Sequence, residues 1–207
     1  MEKFQALITR MPYAARYDAA VILEESKKID ERGLICVSLP IHVDHPMGPF
    51  KWAVEMERAG LTLVSSVAWL RDRLVVTLKS KRLTNSWEPL FIFAKSPEYI
   101  LDRNNTTKVK KGFEGREGCF DEDEFQCCVG DHWPVRNDRR DRRFMPGTVV
   151  MNCAQLAGLQ PQDKVYDPYG NPGIKEICAY FGWGYVDGGL PSAARIAGEK
   201  FEEQKVA

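Results

Sequence analysis

Two stretches of this chain put residues capable of chemistry at the ends of apolar runs. Phe4 to Thr9 is a short β-type run that leads through Arg10 and Met11 into Pro12 and Tyr13, where the proline stops any ladder and the aromatic ring forms the tip of a loop. Tyr13 reads either as a platform on which a flat ligand stacks or as an aromatic at the edge of the core. Near the other end, Lys164-Val165-Tyr166-Asp167-Pro168-Tyr169-Gly170-Asn171-Pro172-Gly173 is a strand, a turn and the start of a helix. Glycines in such a turn let backbone approach a ligand closely, because no β-carbon intervenes. Asp167-Pro168 is equally the plain end of a strand. A third stretch, Arg136 to Arg143, offers Arg139, Arg140, Arg142 and Arg143 to phosphates, with His132 and Trp133 nearby to stack on bases. Asp138 and Asp141 interrupt that run, which also fits a solvated face.

The elements that must position these residues follow from periodicity. Asp18 to Ile29 has the apolar spacing of an amphipathic helix, and Gly33 to Leu39 reads as a buried strand. Pro49 to Ala59 is helical and closed by Gly60; Leu61 to Trp69 is strand-like. Leu74 to Lys79 and Pro89 to Ala94 suit an antiparallel pair. Residues 102–143 are polar and read as an inserted loop region. A segment and helix from Phe144 to Gly158 follow, then strand Lys164 to Tyr166, helix Ile174 to Phe181, strand Gly184 to Val186 and a helix from Ser192 to Gln204. Strands alternating with helices imply an α/β fold, with a mainly parallel sheet covered on both faces. At 207 residues a single domain spanning 1–207 is expected.

Lys plus Arg equals Asp plus Glu at 29 each, so any surface for a polyanion must be local rather than a property of the whole molecule. No long apolar segment marks a signal peptide or a membrane span, which points to a soluble, cytoplasmic protein. Six cysteines in a chain of this size are expected to be free thiols. Cys119, Cys127, Cys128 and His132 share one polar segment but lack the C-x-x-C spacing of a zinc site, so no metal is expected.

Three motifs together resemble the amino-group DNA methyltransferases, which modify N6 of adenine or N4 of cytosine, in the order that puts the catalytic loop before the cofactor loop. Ile8-Thr9-Arg10-Met11-Pro12-Tyr13 resembles that family's strand ending in [DNS]-P-P-[YFW]. Trp87-Glu88-Pro89 through Lys95-Ser96 is similar to its E-P-strand-x-K segment, which follows a strand ending in tryptophan, here Trp69. Phe144-Met145-Pro146 through Asp167-Pro168-Tyr169 and Gly173 resembles its F-P segment, helix and D-P-F-x-G-S-G-T cofactor loop. The resemblance covers nearly the whole chain.

The resemblance implies a single-domain Rossmann-like, class I methyltransferase-like fold, S-adenosylmethionine as cofactor and DNA as partner, with a target-recognition segment at 102–143. A homodimer or a protein partner is compatible with it, and no membrane is involved. It assigns Arg10, Met11, Pro12 and Tyr13 to the catalytic loop and Asp167, Pro168, Tyr169, Asn171 and Gly173 to the cofactor loop. The acidic residue that grips the ribose aligns with Gly189, although Asp187, two residues earlier, serves if the strand ends sooner. Arg139, Arg140, Arg142 and Arg143 fall in the recognition segment. Arg10 stands where a lone-pair acceptor should meet the exocyclic amino group, and a guanidinium has no acceptor. Met11 replaces the stiff proline, and Asn171 and Pro172 replace the usual Gly and Ser. The expectation is therefore a diverged or inactive methyltransferase-like protein, acting as nucleic-acid binder, partner or decoy in DNA modification or restriction. The alternatives are an active S-adenosylmethionine-dependent DNA methyltransferase or related group-transfer enzyme, and a plain α/β interaction protein.

Overall fold

The computed structural model describes residues 3–12, 17–42, 45–71, 87–102, 131–135 and 145–190. In chain order the elements are β1 (Phe4–Arg10), α1 (Ala19–Ser26), β2 (Ile29–Ser38), α2 (Gly48–Arg58), β3 (Thr62–Arg71), β4 (Trp87–Ala94), β5 (His132–Val135), α3 (Gly147–Leu156), β6 (Lys164–Asp167), α4 (Pro172–Phe181) and β7 (Gly184–Asp187). The strands form one seven-stranded sheet in the order β5-β3-β4-β2-β1-β6-β7. β4 is antiparallel to both its neighbours, β2 and β3; the other pairings are parallel.

The near-continuous apolar runs of β1, β2 and β4 follow from burial on both faces. Successive side chains alternate across the sheet. Ala6, Ile8, Leu34, Cys36, Leu90 and Ile92 face α3 and α4, where Val150, Cys153 and Ile174 meet them. Leu7, Ile35, Val37, Phe91 and Phe93 face α1 and α2, where Ile22, Trp52 and Met56 meet them. Helix starts are set by local chemistry. The Asp18 carboxylate accepts from Ala20 N at 3.0 Å, and Asn171 Oδ1 accepts from Gly173 N at 3.0 Å with Pro172 in the first helical position.

Four features differ from the expectation or lie beyond it. Ile29 belongs to β2 rather than to the first helix, which ends at Ser26; Ile29 pairs with Phe4, and a β-branched residue fits that ladder as well as it fits a helical stripe. The chain takes five steps from Ile29 to Leu34 while β1 takes two from Phe4 to Ala6, so the polar Asp30-Glu31-Arg32-Gly33 bulges out of the ladder. Part of the expected loop region forms β5, which adds a parallel edge beside β3 through Trp69↔Trp133. Pro89 to Ala94 runs antiparallel to β2 and β3; its expected partner Leu74–Lys79, together with Phe144 and the helix expected at 192–204, lies outside the described residues.

From β1 the sheet grows to one side through β2 and to the other through β6. The β1–β6 boundary is therefore the switch point of an open α/β sheet, and the crevice beyond its carboxyl ends is where such folds place ligands. Arg10, Ser38, Asp167 and Asp187 all stand at that edge, joined by Glu88 at the start of the reversed strand β4.

Candidate functional site

Arg10 is the last residue of β1, lies opposite Ser38 in the ladder and is 6% exposed. Its guanidinium clasps Glu88 with two hydrogen bonds, Nε to Oε1 at 2.7 Å and Nη2 to Oε2 at 2.9 Å. Glu88 is fully buried, and Ser38 Oγ donates to its Oε1 at 2.7 Å while Trp69 Nε1 donates to Ser38 Oγ at 3.0 Å. The ends of β1 and β2 thus meet on one buried carboxylate carried by β4, with Trp69 of β3 bracing Ser38. A charge this deep is tolerated only when paired and hydrogen-bonded, and the fork-to-fork geometry meets that demand. The next residue, Met11, is fully buried on the α1–α2 side, and its N–H donates to Ser38 O at 2.9 Å. Pro12 is buried as well. Tyr13 lies outside the described residues.

Across the switch point, Asp167 ends β6 and is fully buried. Its Oδ1 accepts from the Thr9 hydroxyl at 2.6 Å and from Tyr169 N at 3.2 Å; its Oδ2 accepts from Asn171 N and from the Tyr185 hydroxyl at 3.2 Å. Burial pushes the Asp167 carboxyl above its ordinary value, and those four donors, Thr9 foremost, pull it back only in part. Burial also raises the Tyr169 hydroxyl, to about 12, and the Tyr185 hydroxyl, the latter reinforced by the charge of Asp167. Asp167 organises the loop: Gly170 N and Gly188 N both donate to its backbone carbonyl.

The loop then enters α4 with its donors already matched. Asn171 caps the helix through Gly173 N, Pro172 has no N–H to offer, and Ile174 N and Lys175 N donate to Asn171 O. Beside it β7 ends at Asp187, in register with Asp167, and the Asp187 carboxylate is exposed and accepts from Gly189 N at 2.8 Å. Gly170 has φ +65°, and a β-carbon there would stand 2.6 Å from Asp187 Oδ2, so the turn and the carboxylate fit together only around glycine. A β-carbon on Gly188 would run into the Tyr166 hydroxyl and lie 2.7 Å from Pro168 Cα.

Asp167, Pro168, Tyr169, Asn171, Gly173 and Asp187 therefore share one loop and strand end, and Arg10, Met11 and Pro12 stand one strand away, tied to it by Thr9. Arg139, Arg140, Arg142 and Arg143 lie outside the described residues. Sequence reasoning did not single out Glu88, Ser38, Thr9 or Tyr185 as site residues. One signal was present: Glu88 is the lone charge in the run Trp87–Ala94, and a charge in a strand destined for burial requires a partner. Among the described residues no three His, Cys, Asp or Glu side chains gather to hold a metal ion, Cys36, Cys153 and Cys178 are free and buried, and no helix is long and apolar enough to cross a membrane.

No protein-family model matches the chain, and no curated protein sequence does. Solved structures do match. PvuII DNA methyltransferase (cytosine-N4-specific) superposes with a TM-score of 0.69 at 12% identity, over 90% of this chain and 74% of its own. The M1.HpyAVI–SAM complex superposes at 0.61 with 13% identity, over 90% and 82%. A putative DNA modification methylase from Thermus thermophilus, TTHA0409, complexed with S-adenosyl-L-methionine, superposes at 0.58 with 15% identity, over 98% and 88%. The likeness is one of fold: the chain has the mainly parallel, Rossmann-like α/β frame of these DNA methyltransferases.

Proposed function

We propose that this chain is a methyltransferase-like DNA-binding protein that has diverged from amino-methyl transfer and serves as a binder, partner or decoy in a DNA-modification or restriction setting. One observation carries the reading. At the end of β1, where an amino-methyltransferase needs a short lone-pair acceptor, Arg10 offers only donors and is itself locked onto Glu88 at 2.7 and 2.9 Å. Met11, in the adjoining position, is turned into the core. A target amino group brought there meets no side-chain acceptor from either residue to keep its lone pair aimed at a methyl donor. By analogy with removal of one oxyanion-hole donor, such a loss is worth about 3–4 kcal/mol in the barrier, roughly a factor of 10² to 10³.

The cofactor side is better preserved, which supports binding of S-adenosylmethionine without turnover. The exposed Asp187 carboxylate beside Gly170 suits the two ribose hydroxyls, as an acceptor pair held at a strand end. The first-turn donors of α4, by contrast, are matched within the loop, and Asp167 is fully engaged, so neither is free to grip the amino-acid end. When bound, S-adenosylmethionine would supply an electrophilic methyl group; the chain's own part is to hold its hydroxyls. The arginine-rich segment is assigned to DNA phosphates.

Incubation of the full chain with labelled S-adenosylmethionine and duplex DNA, alongside calorimetry with the cofactor alone, tests this. Cofactor binding and salt-dependent DNA retention without label in DNA are expected. Methyl label on adenine N6 or cytosine N4 at ordinary enzymatic rates would overturn the reading.

A further inference from the structure

Beyond Ser38 the chain crosses the carboxyl edge of the sheet through Leu39, Pro40 and Ile41 to His42 and His45, just ahead of α2. The two histidines form an isolated antiparallel bridge, with His45 N donating to His42 O at 3.1 Å, and Gly48 N donating to His45 O at 2.9 Å. Tyr17 fixes the approach: its hydroxyl donates to Pro40 O at 2.6 Å and accepts from His42 N at 3.0 Å. Its ring fills the space a side chain on Gly48 would need, with Cδ2 2.6 Å from such a β-carbon. Backbone on both sides of the pair is therefore held in place.

Partners in an antiparallel bridge project to the same side, with β-carbons about 4.5–5.5 Å apart. The two imidazoles accordingly stand side by side, with ring centroids 5.8 Å apart and planes 30° apart, His45 exposed and His42 half-buried. A metal ion about 2.0–2.1 Å from one nitrogen of each ring, in tetrahedral geometry, puts the ring centres roughly 5 Å apart, close to the 5.8 Å that separates them. Imidazole pairs favour late first-row divalent ions over the oxygen-seeking Mg²⁺ and Ca²⁺.

We infer that His42 and His45 form a two-imidazole site for a late first-row divalent cation, Ni²⁺, Cu²⁺ or Zn²⁺. The site stands on the bridge and the ring geometry, and it is independent of the proposed loss of methyl transfer.

The chain has three histidines, His42, His45 and His132, which makes the test direct. Untagged full-length protein with labelled histidine is titrated with Ni²⁺, and the imidazole resonances are followed. Paramagnetic broadening of two of the three in concert, with both lost in a folded His42→Ala/His45→Ala variant, is expected. In calorimetry that variant binds one equivalent of Ni²⁺ fewer, and His45→Gln alone weakens this step by about tenfold or more. Broadening of His42 and His45 at separate Ni²⁺ concentrations, or unchanged stoichiometry in the double variant, would overturn the assignment. Should the double variant fail to fold, the wild-type broadening pattern together with the exposed His45→Gln change decides the matter.

Discussion

The Thr9 hydroxyl donates to Asp167 Oδ1 at 2.6 Å and so joins the ends of two strands 158 residues apart in sequence. It crosses the switch point of the sheet, between the strand that carries Arg10 and the strand that opens the cofactor-type loop. The two halves of the candidate site therefore share one buried carboxylate, and the loop's geometry depends on a residue that does not belong to the loop.

Removing the Thr9 hydroxyl with Thr9→Val keeps the shape and deletes the strongest of the bonds that lower the Asp167 pKa. The folded-state value, already above the unfolded one through burial, rises further. A carboxyl whose folded pKa is raised contributes its stability fully below the unfolded pKa and loses it as pH rises through the folded pKa. Thr9→Val is therefore expected to lose more stability near pH 7 than near pH 3.5 relative to the wild type. Denaturant midpoints measured across that range give the answer, and an equal loss at both ends would remove Asp167 as the responsible group.

The Arg10–Glu88 pair gives an asymmetric prediction. Arg10→Met takes the guanidinium away from a fully buried carboxylate and should destabilise the fold by about 3–5 kcal/mol, whereas Arg10→Met combined with Glu88→Leu should fall well short of the summed losses of the two single changes. Urea unfolding of the two singles and the double completes the cycle. Additive losses would mean that the guanidinium and the carboxylate do not depend on each other.

Much of the frame was legible because it rests on local pattern. Gly33-Leu34-Ile35-Cys36-Val37-Ser38-Leu39 is too apolar to be half-exposed, and it became a strand covered on both faces. The same logic marked Leu90 to Ala94. β5 escaped notice because His132-Trp133-Pro134-Val135 has no alternation of its own and contains a proline; Trp69 on the neighbouring strand supplies its reason to pair. Arg10 was legible as an anomaly but not as half of an ion pair. Glu88 lies 78 residues away, and nothing in local spacing links a strand end to the start of a reversed strand.

Replacing Arg10 and Met11 with Ser and Pro, the acceptor form proposed to have been lost, is expected to be structurally costly. Met11→Pro deletes the N–H that donates to Ser38 O, worth about 0.5–1.5 kcal/mol, and empties a fully buried thioether site, a change of the class that costs about 2–5 kcal/mol. Arg10→Ser adds the loss of the guanidinium from the buried Glu88 carboxylate. The combined replacement should lower the thermal midpoint by many degrees, and adding Glu88→Gln should recover part of it. Differential scanning calorimetry on the three variants checks both steps; an undiminished midpoint in the combined replacement would mean that this loop repacks freely.

Gly170 separates the cofactor reading from simple preservation of a turn. Gly170→Ala must place a β-carbon at φ +65° and 2.6 Å from Asp187 Oδ2, which costs about 1–2 kcal/mol in backbone conformation alone and pushes the carboxylate aside. Asp187→Asn leaves the backbone untouched, removes the charge that strengthens bonds to hydroxyls and turns one acceptor oxygen into an NH₂ donor, a loss of about 1.5–3 kcal/mol for a bound ribose. If Asp187 holds the cofactor, both variants weaken S-adenosylmethionine in calorimetry, and adenosine, which keeps the hydroxyls but lacks the amino-acid end, is weakened by a similar factor. If Asp187 only closes the turn through Gly189 N, Asp187→Asn shifts the unfolding midpoint and leaves both ligands unaffected. The comparison of the two ligands across the two variants thus assigns the carboxylate to binding or to architecture without requiring any turnover.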